Sequence, residues 1–338
     1  MEQNASSAQP VGIILANTGS PAAPTPEAVR AYLAEFLMDD RIIQMPRPLW
    51  KTLLNRVILP KRQYASAQKY ASVWTPEGSP QIVIETRLAE KLESALRSSG
   101  YDAYVRIGMS YGPHPLAEAC EDLKAIGCKE LVVLPAYPQS GYCITGSVHD
   151  AFERARKSNF TGMPARFVEE YGSRPAYRKA IAESIREAGF DAAAGDRILF
   201  SFHSIPLKDV RNGDSYLEQI DRSVQDIAMQ LQVPADAWSV GYSCVFGPHP
   251  EKWAGPLSRD LLRTWGNAMA QGQIAGRIFF ATPGFSVDCL ETLWDIPQEL
   301  EPVFVQAGGD AQRFVTVPPL NDSEKAVAVM ADAVFPTA

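Results

Sequence analysis

Eight short apolar runs, separated by stretches with helical spacing, constrain this chain more than any other feature. Residues 11–16, 103–109, 130–136, 165–168, 197–202, 238–242, 277–281 and 314–317 are rich in Val, Ile, Leu and Phe, and several are apolar throughout. A strand that faces water on one side alternates apolar with polar; one covered on both faces, as in a parallel sheet, does not. Between these runs, residues 82–97 place Ile82, Leu88, Leu92 and Leu96 near one face, with charges elsewhere. Residues 115–125, 175–187, 215–231, 256–270, 288–300 and 323–334 read as further helices. Pro175 and Pro256 suit a first helical turn, where a missing N–H does no harm, and Asn-Asp-Ser-Glu at 321–324 reads as a capped helix start. Strand–helix alternation on this scale predicts an α/β fold with largely parallel sheets and right-handed crossovers.

The pattern occurs twice. Gly-Pro-His-Pro follows one strand at 112–115 and another at 247–250, and strands end in Asn-Thr-Gly-Ser-Pro at 17–21 and Phe-His-Ser-Ile-Pro at 202–206. Two coincidences in the same order predict two similar doubly wound, Rossmann-like halves, residues 1–173 and 174–338. A chain of 338 residues can bury two cores. In such folds a ligand sits at the carboxyl ends of the strands, here expected between the halves.

Composition removes several function classes. A net charge of -7 and a pI near 5.3 argue against a nucleic-acid partner, which needs a basic surface. The apolar runs are strand-sized, far from the roughly 20 residues of a membrane span. Residues 1–10 are polar, with no basic and then apolar leader pattern, so the expectation is a cytoplasmic protein. The five cysteines are irregularly spaced, with no C-x-x-C, and read as reduced thiols.

Two constellations can carry chemistry. His203 follows an apolar strand directly, at the end where α/β ligands bind. After a later strand and a glycine turn, Asp288, Glu291 and Asp295 stand at i, i+3 and i+7, on one helical face. The ordinary alternatives are a structural histidine and acids that favour a first turn. The functional reading is a carboxylate row that passes protons or guides a divalent cation. His203 and Glu291 are then the candidate metal ligands, too few for a closed structural zinc site but suited to a metal in transit. Within residues 45–70 the chain is apolar on most sides as far as Pro60, where Lys61 and Arg62 follow. They read equally as a buried connector or as an apolar lip over a ligand or against a membrane.

At these residues the sequence resembles ferrochelatase over nearly its whole length. Residues 17–21 are similar to the family's N-L-G-[TG]-P, and Glu-Phe-Leu-Met-Asp at 35–39 with Pro46 to E-F-L-x-D…P. Trp74 with Gly-Ser-Pro at 78–80 fits W…G-S-P; residues 134–140 and 145–147 resemble L-P-x-Y-P-Q-x-S…T-G-S. Residues 201–206 and 213–216 resemble F-S-x-H-S-[IL]-P…G-D-x-Y, residues 283–293 P-G-F-x-x-D-C-L-E-T-L, and residues 318–323 the closing L-N-D-S.

The resemblance implies a chelatase-type fold that inserts ferrous iron into protoporphyrin IX or coproporphyrin III for haem. His203 takes the family's invariant histidine position and Glu291 its essential glutamate, with Asp288 and Asp295 extending the acidic row. Residues 45–70 become the lip over the macrocycle, and Tyr111, Lys61, Arg62, Ser79 and Trp253 become porphyrin contacts. It also implies iron as substrate rather than cofactor. With no cysteine after Cys289, no iron–sulfur cluster is expected. The lip suggests peripheral contact with the inner face of a membrane; oligomeric state stays open. Two departures stand out. Met109-Ser110-Tyr111 lacks the cation usual before the tyrosine, and the family's Q-S-R-x-G-x-x-P-W is replaced by an altered, longer stretch from Ser243 to Trp253. The alternatives are a chelatase for another metal, such as cobalt, and a non-catalytic porphyrin- or haem-binding protein.

Overall fold

The computed structural model describes residues 9–159, 162–245 and 249–336. The polar start at 1–8 and residues 246–248, which include half of the second Gly-Pro-His-Pro, lie outside them. The chain forms two compact units, one from 1–136, 143–169 and 322–338, the other from 137–142 and 170–321. Two segments thus cross the division expected at 173/174. The last helix, Glu324–Val334, packs on the helix Pro80–Ser98 and on the third strand of the first unit.

The first unit holds β1 (Val11–Asn17), β2 (Ala103–Met109), β3 (Glu130–Pro135) and β4 (Ala165–Phe167), in the order β2-β1-β3-β4. All pairings are parallel, with Val11 opposite Ala103 and Glu130. Ile13, Ile14, Leu15 and Ala16 of β1 are fully buried, the two-sided burial that a continuous apolar run predicts. Gly108 lets a helix lie close: a Cβ there would stand 2.7 Å from Ile14 Cγ2 and 3.0 Å from Leu116 Cδ2.

Residues 45–70 are buried on one face, as a connector would be, and exposed on the other. Arg47–Leu53 is α-helical, Leu54–Ile58 is a π turn, and Leu59–Val73 continues as α-helix. Pro60 has no N–H to give and crowds the carbonyl four residues back, so the turn before it widens. One face buries Trp50, Leu54 and Leu59 against Val29, Leu33 and Tyr111, and Trp50 Nε1 donates to the Leu37 carbonyl at 2.6 Å. The other face leaves Leu49 61% and Val57 50% exposed.

The second unit repeats the topology with β5 (Arg197–His203), β6 (Trp238–Ser243), β7 (Ile278–Ala281) and β8 (Phe314–Val317), in the order β6-β5-β7-β8. Its pairings are also parallel, with Arg197 opposite Ile278 and His203 opposite Ser243. Leu199, Ile278 and Phe280 form a core with Leu262, Trp265 and Phe304 from the covering helices. The segment expected as an ordinary helix over 288–300 is a π-helix, Glu291–Leu300, with Pro297 inside it. As at Pro60, a missing donor favours the wider turn.

Candidate active site

His203 is the last residue of β5, and strand alternation puts Leu199, Ser201 and His203 on one face. The turn behind it is tightly held. Ser204, fully buried, donates its N–H to the Ser243 carbonyl at 2.8 Å and its hydroxyl to the Ala254 carbonyl at 2.8 Å. Ala254 N–H in turn donates to the Ile205 carbonyl at 2.9 Å, which sets Trp253 beside Pro206. His203 Nδ1 lies 2.7 Å from the Ser204 carbonyl oxygen. A carbonyl only accepts, so Nδ1 carries a proton, and in the neutral imidazole the lone pair is then on Nε2. The fold therefore presents a proton acceptor, or a metal ligand, at a defined atom.

A cavity of about 210 Å³ opens on the same side of this sheet, lined by Ser201, Ser243, Phe280 and Thr282 at the strand ends; His203 itself is not among its lining residues. The π-helix supplies its other wall through two rows, Glu291, Asp295 and Glu299, and Thr292, Ile296 and Leu300. Each row repeats every four residues, which brings three carboxylates to one cavity. Glu299, four residues after Asp295, falls on the same face even at ordinary helical spacing, and the sequence reading did not name it. Arg259 and Cys244 line the cavity too. The arginine is a cation that sequence reasoning did not single out, and Cys244 belongs to the altered stretch before Trp253.

Asp288 does not line this cavity. Its backbone N–H donates to Asn321 Oδ1 at 2.7 Å, and its Oδ2 accepts from Asn321 Nδ2 at 2.7 Å. Its Oδ1 accepts from the Thr292 hydroxyl at 2.7 Å, which itself accepts the Cys289 N–H at 3.0 Å. Asn321 thus serves Asp288, while the cap of the last helix is Ser323, whose hydroxyl accepts from Ala326 N–H at 3.2 Å. Desolvation and the hydrogen-bonded Glu291 carboxylate push the Cys289 thiol well above its usual range, so it stays a thiol beside Glu291.

The remaining predicted residues lie in the first unit or at the turn already described. Lys61 and Arg62 are exposed on the helix Leu59–Val73. Ser79 is buried at the start of Pro80–Ser98. Tyr111 is buried, packs edge-on against Phe36 at 5.4 Å between ring centroids, and donates its hydroxyl to Asp39 Oδ2. Asp39 also accepts from Arg41 N–H at 2.7 Å. Among the described residues no group of three His, Cys, Asp or Glu side chains is arranged as a metal cage.

Comparison with known proteins gives this arrangement its family. The model of the ferrochelatase family matches residues 10–338. The chain belongs to the ferrochelatase family. A ferrochelatase of Nitrosococcus oceani is 35% identical over 325 residues, covering 96% of this chain and 86% of the relative. One from Vibrio cholerae is 36% identical over 321 residues, covering 95% of this chain and 96% of the relative. Among solved structures, SirB from Bacillus subtilis superposes with a TM-score of 0.54 at 12% identity, over 96% of this chain and 94% of its own. CbiX, described as the terminal enzyme of sirohaem biosynthesis in denitrifying bacteria, gives 0.50 at 16% identity, over 98% of this chain and all of its own. At such identities these two speak for the fold alone.

Proposed function

We propose that this chain inserts ferrous iron into a porphyrin, with His203 and Glu291 at the reacting centre. One observation carries the reading: in a ferrochelatase-family chain, His203 ends a strand with its Nε2 lone pair fixed, on the side of the sheet where three carboxylates line a cavity. A free-base porphyrin has two inner N–H protons and a flat ring that shields its lone pairs. Insertion needs both protons removed, the ring bent and water stripped from iron. Contacts that fit the bent ring better than the flat one lower the barrier. His203 Nε2 accepts a pyrrole proton or gives iron a transient ligand; Glu291 supplies compensating negative charge, and Asp295 and Glu299 extend it as a route for protons or for the dication.

Lys61 and Arg62 suit pairing with the carboxylates of the tetrapyrrole, and Ser79 and Trp253 complete the porphyrin contacts. Burial of Tyr111 and its bond to Asp39 give that tyrosine a supporting part. The outward face of the lip, Leu49 and Val57 among Lys51, Arg56, Lys61 and Arg62, suits peripheral contact with an anionic membrane surface. Among the described residues no helix is long and apolar enough to cross a membrane. The reading carries no permanently bound cofactor and no iron–sulfur cluster.

An anaerobic assay with ferrous iron, comparing protoporphyrin IX with coproporphyrin III, tests it. Expected is turnover with iron and a preference for one of the two. Cys244 at the cavity brings cobalt into the same assay. Turnover with cobalt and none with iron would make the chain a different chelatase. Stoichiometric porphyrin binding with no insertion of either metal would make it a binding protein.

A further inference from the structure

Asp288 stood in the sequence as one of a row of carboxylates. Its surroundings give it another task. Both oxygens are taken by donors, Asn321 Nδ2 on one and the Thr292 hydroxyl on the other, each at 2.7 Å. Its own N–H is taken by Asn321 Oδ1. Asn321 also donates its backbone N–H to the Ser286 carbonyl at 2.9 Å. Three hydrogen bonds therefore tie the turn after β8 to the segment leading into the π-helix. Ser286 is held from its other side by the Tyr171 hydroxyl at 2.7 Å, and Tyr177 donates its hydroxyl to the Pro283 carbonyl.

Asn321 adopts a left-handed backbone, φ +52°, which asparagine tolerates better than other non-glycine residues. In that conformation the backbone N–H reaches Ser286 and the side-chain amide Asp288, both on the segment that leads into the π-helix. Glu291 begins the π-helix three residues after Asp288, and Cys289, between them, gives its N–H to Thr292. A shift at Asp288 would rotate the helix start and with it the row Glu291, Asp295 and Glu299.

We propose that Asn321 and Asp288 act together as positioning residues for Glu291, a clamp that sets the direction of the π-helix carboxylates rather than a step in proton transfer. The proposal rests on the metal-insertion reading for its kinetic consequence and on geometry for the clamp itself.

Asn321→Gly is the cleanest variant, because glycine accepts the left-handed backbone without strain and only the side-chain amide is lost. In anaerobic ferrous-insertion kinetics, Asn321→Gly and Asp288→Ala should each lower kcat about 10- to 100-fold. Porphyrin affinity, read by fluorescence quenching, should stay within about 3-fold. The double variant should be no slower than the slower single one, since both break the same doublet. Asp288→Asn, which keeps shape and one acceptor, should recover to within about 5-fold of the parent, a rescue that a proton relay would not allow.

Unchanged turnover in Asn321→Gly, additive losses in the double variant, or Asp288→Asn as slow as Asp288→Ala would each overturn the proposal. Amide hydrogen exchange separates the clamp from the functional reading. In Asn321→Gly, residues 286–293 should exchange at least about 10-fold faster with the rest unaltered; unaltered exchange there would overturn the clamp whatever the chain does with iron. A parent chain that inserts no metal would sink the functional reading and leave the exchange result standing.

Discussion

Asn17 and His203 close equivalent strands of two sheets with the same order, yet their surroundings are opposite. Asn17 is buried and donates its Nδ2 to Glu85 from the helix Pro80–Ser98, a carboxyl with 0% exposure. Burial pushes Glu85 from 4.5 up to about 8, and the Asn17 bond only partly offsets it, so at neutral pH the carboxyl keeps its proton. His203 is half-buried, with one ring nitrogen committed to a carbonyl, and carboxylates line the cavity on its side of the sheet. One strand end is sealed and holds its proton as a structural feature; the other is open and offers a lone pair. Topology alone assigns neither role. What differs is the covering element, a straight amphipathic helix over the first and a π-helix with Pro297 over the second.

The largest expected effect tests the open end. His203→Ala should lower iron insertion by about 10²- to 10⁴-fold while porphyrin binding changes only a few-fold, read by single-turnover kinetics and fluorescence quenching. Near-normal turnover would erase the distinction between the two strand ends.

Next comes the sealed end. Below pH 4.5 Glu85 is protonated in folded and unfolded chain alike; from there to about 8 only the folded chain holds the proton. The unfolded state then binds fewer protons, so stability falls as pH rises and the full cost of the buried charge is felt above the folded pKa. Glu85→Gln cannot ionise. Its melting temperature relative to the parent should rise by about 3–6 °C between about pH 6 and about pH 8.5, with turnover little changed. A gap that does not vary with pH would mean Glu85 is charged at neutral pH, and the contrast with the second unit would weaken.

The smallest effect concerns the lip of the first unit. Leu49→Gln with Val57→Gln should reduce co-sedimentation with anionic vesicles about 3- to 10-fold while leaving soluble turnover within about 2-fold. Equal sedimentation of parent and variant would overturn the membrane contact proposed for the first unit.

Much of this was legible in the residues. All eight apolar runs became strands, because two-sided burial leaves a local signature. The paired sheets emerged from repeated strand ends, and the half-buried, half-exposed character of residues 45–70 from apolar residues that exceed what one helical face can bury. Ser323, within the capped start read at 321–324, caps the last helix, whereas Pro256 precedes a helix that begins only at Ser258; such boundaries depend on side chains that competing partners can claim.

Period and motif are local properties, and they alone determined the α/β class, the parallel strands, the family, and the nomination of His203 and Glu291. Which carboxylates share a wall was decided in three dimensions. Glu299 rather than Asp288 lines the cavity with Glu291 and Asp295, and Asp288 found its partner 33 residues later. Glu85 keeps its proton because the fold strips water from around it, against the partial offset of a hydrogen bond from a neighbour 68 residues earlier. Hydrogen-bond partners and desolvation at such separations exist only once the chain has closed on itself, so no window of sequence holds them.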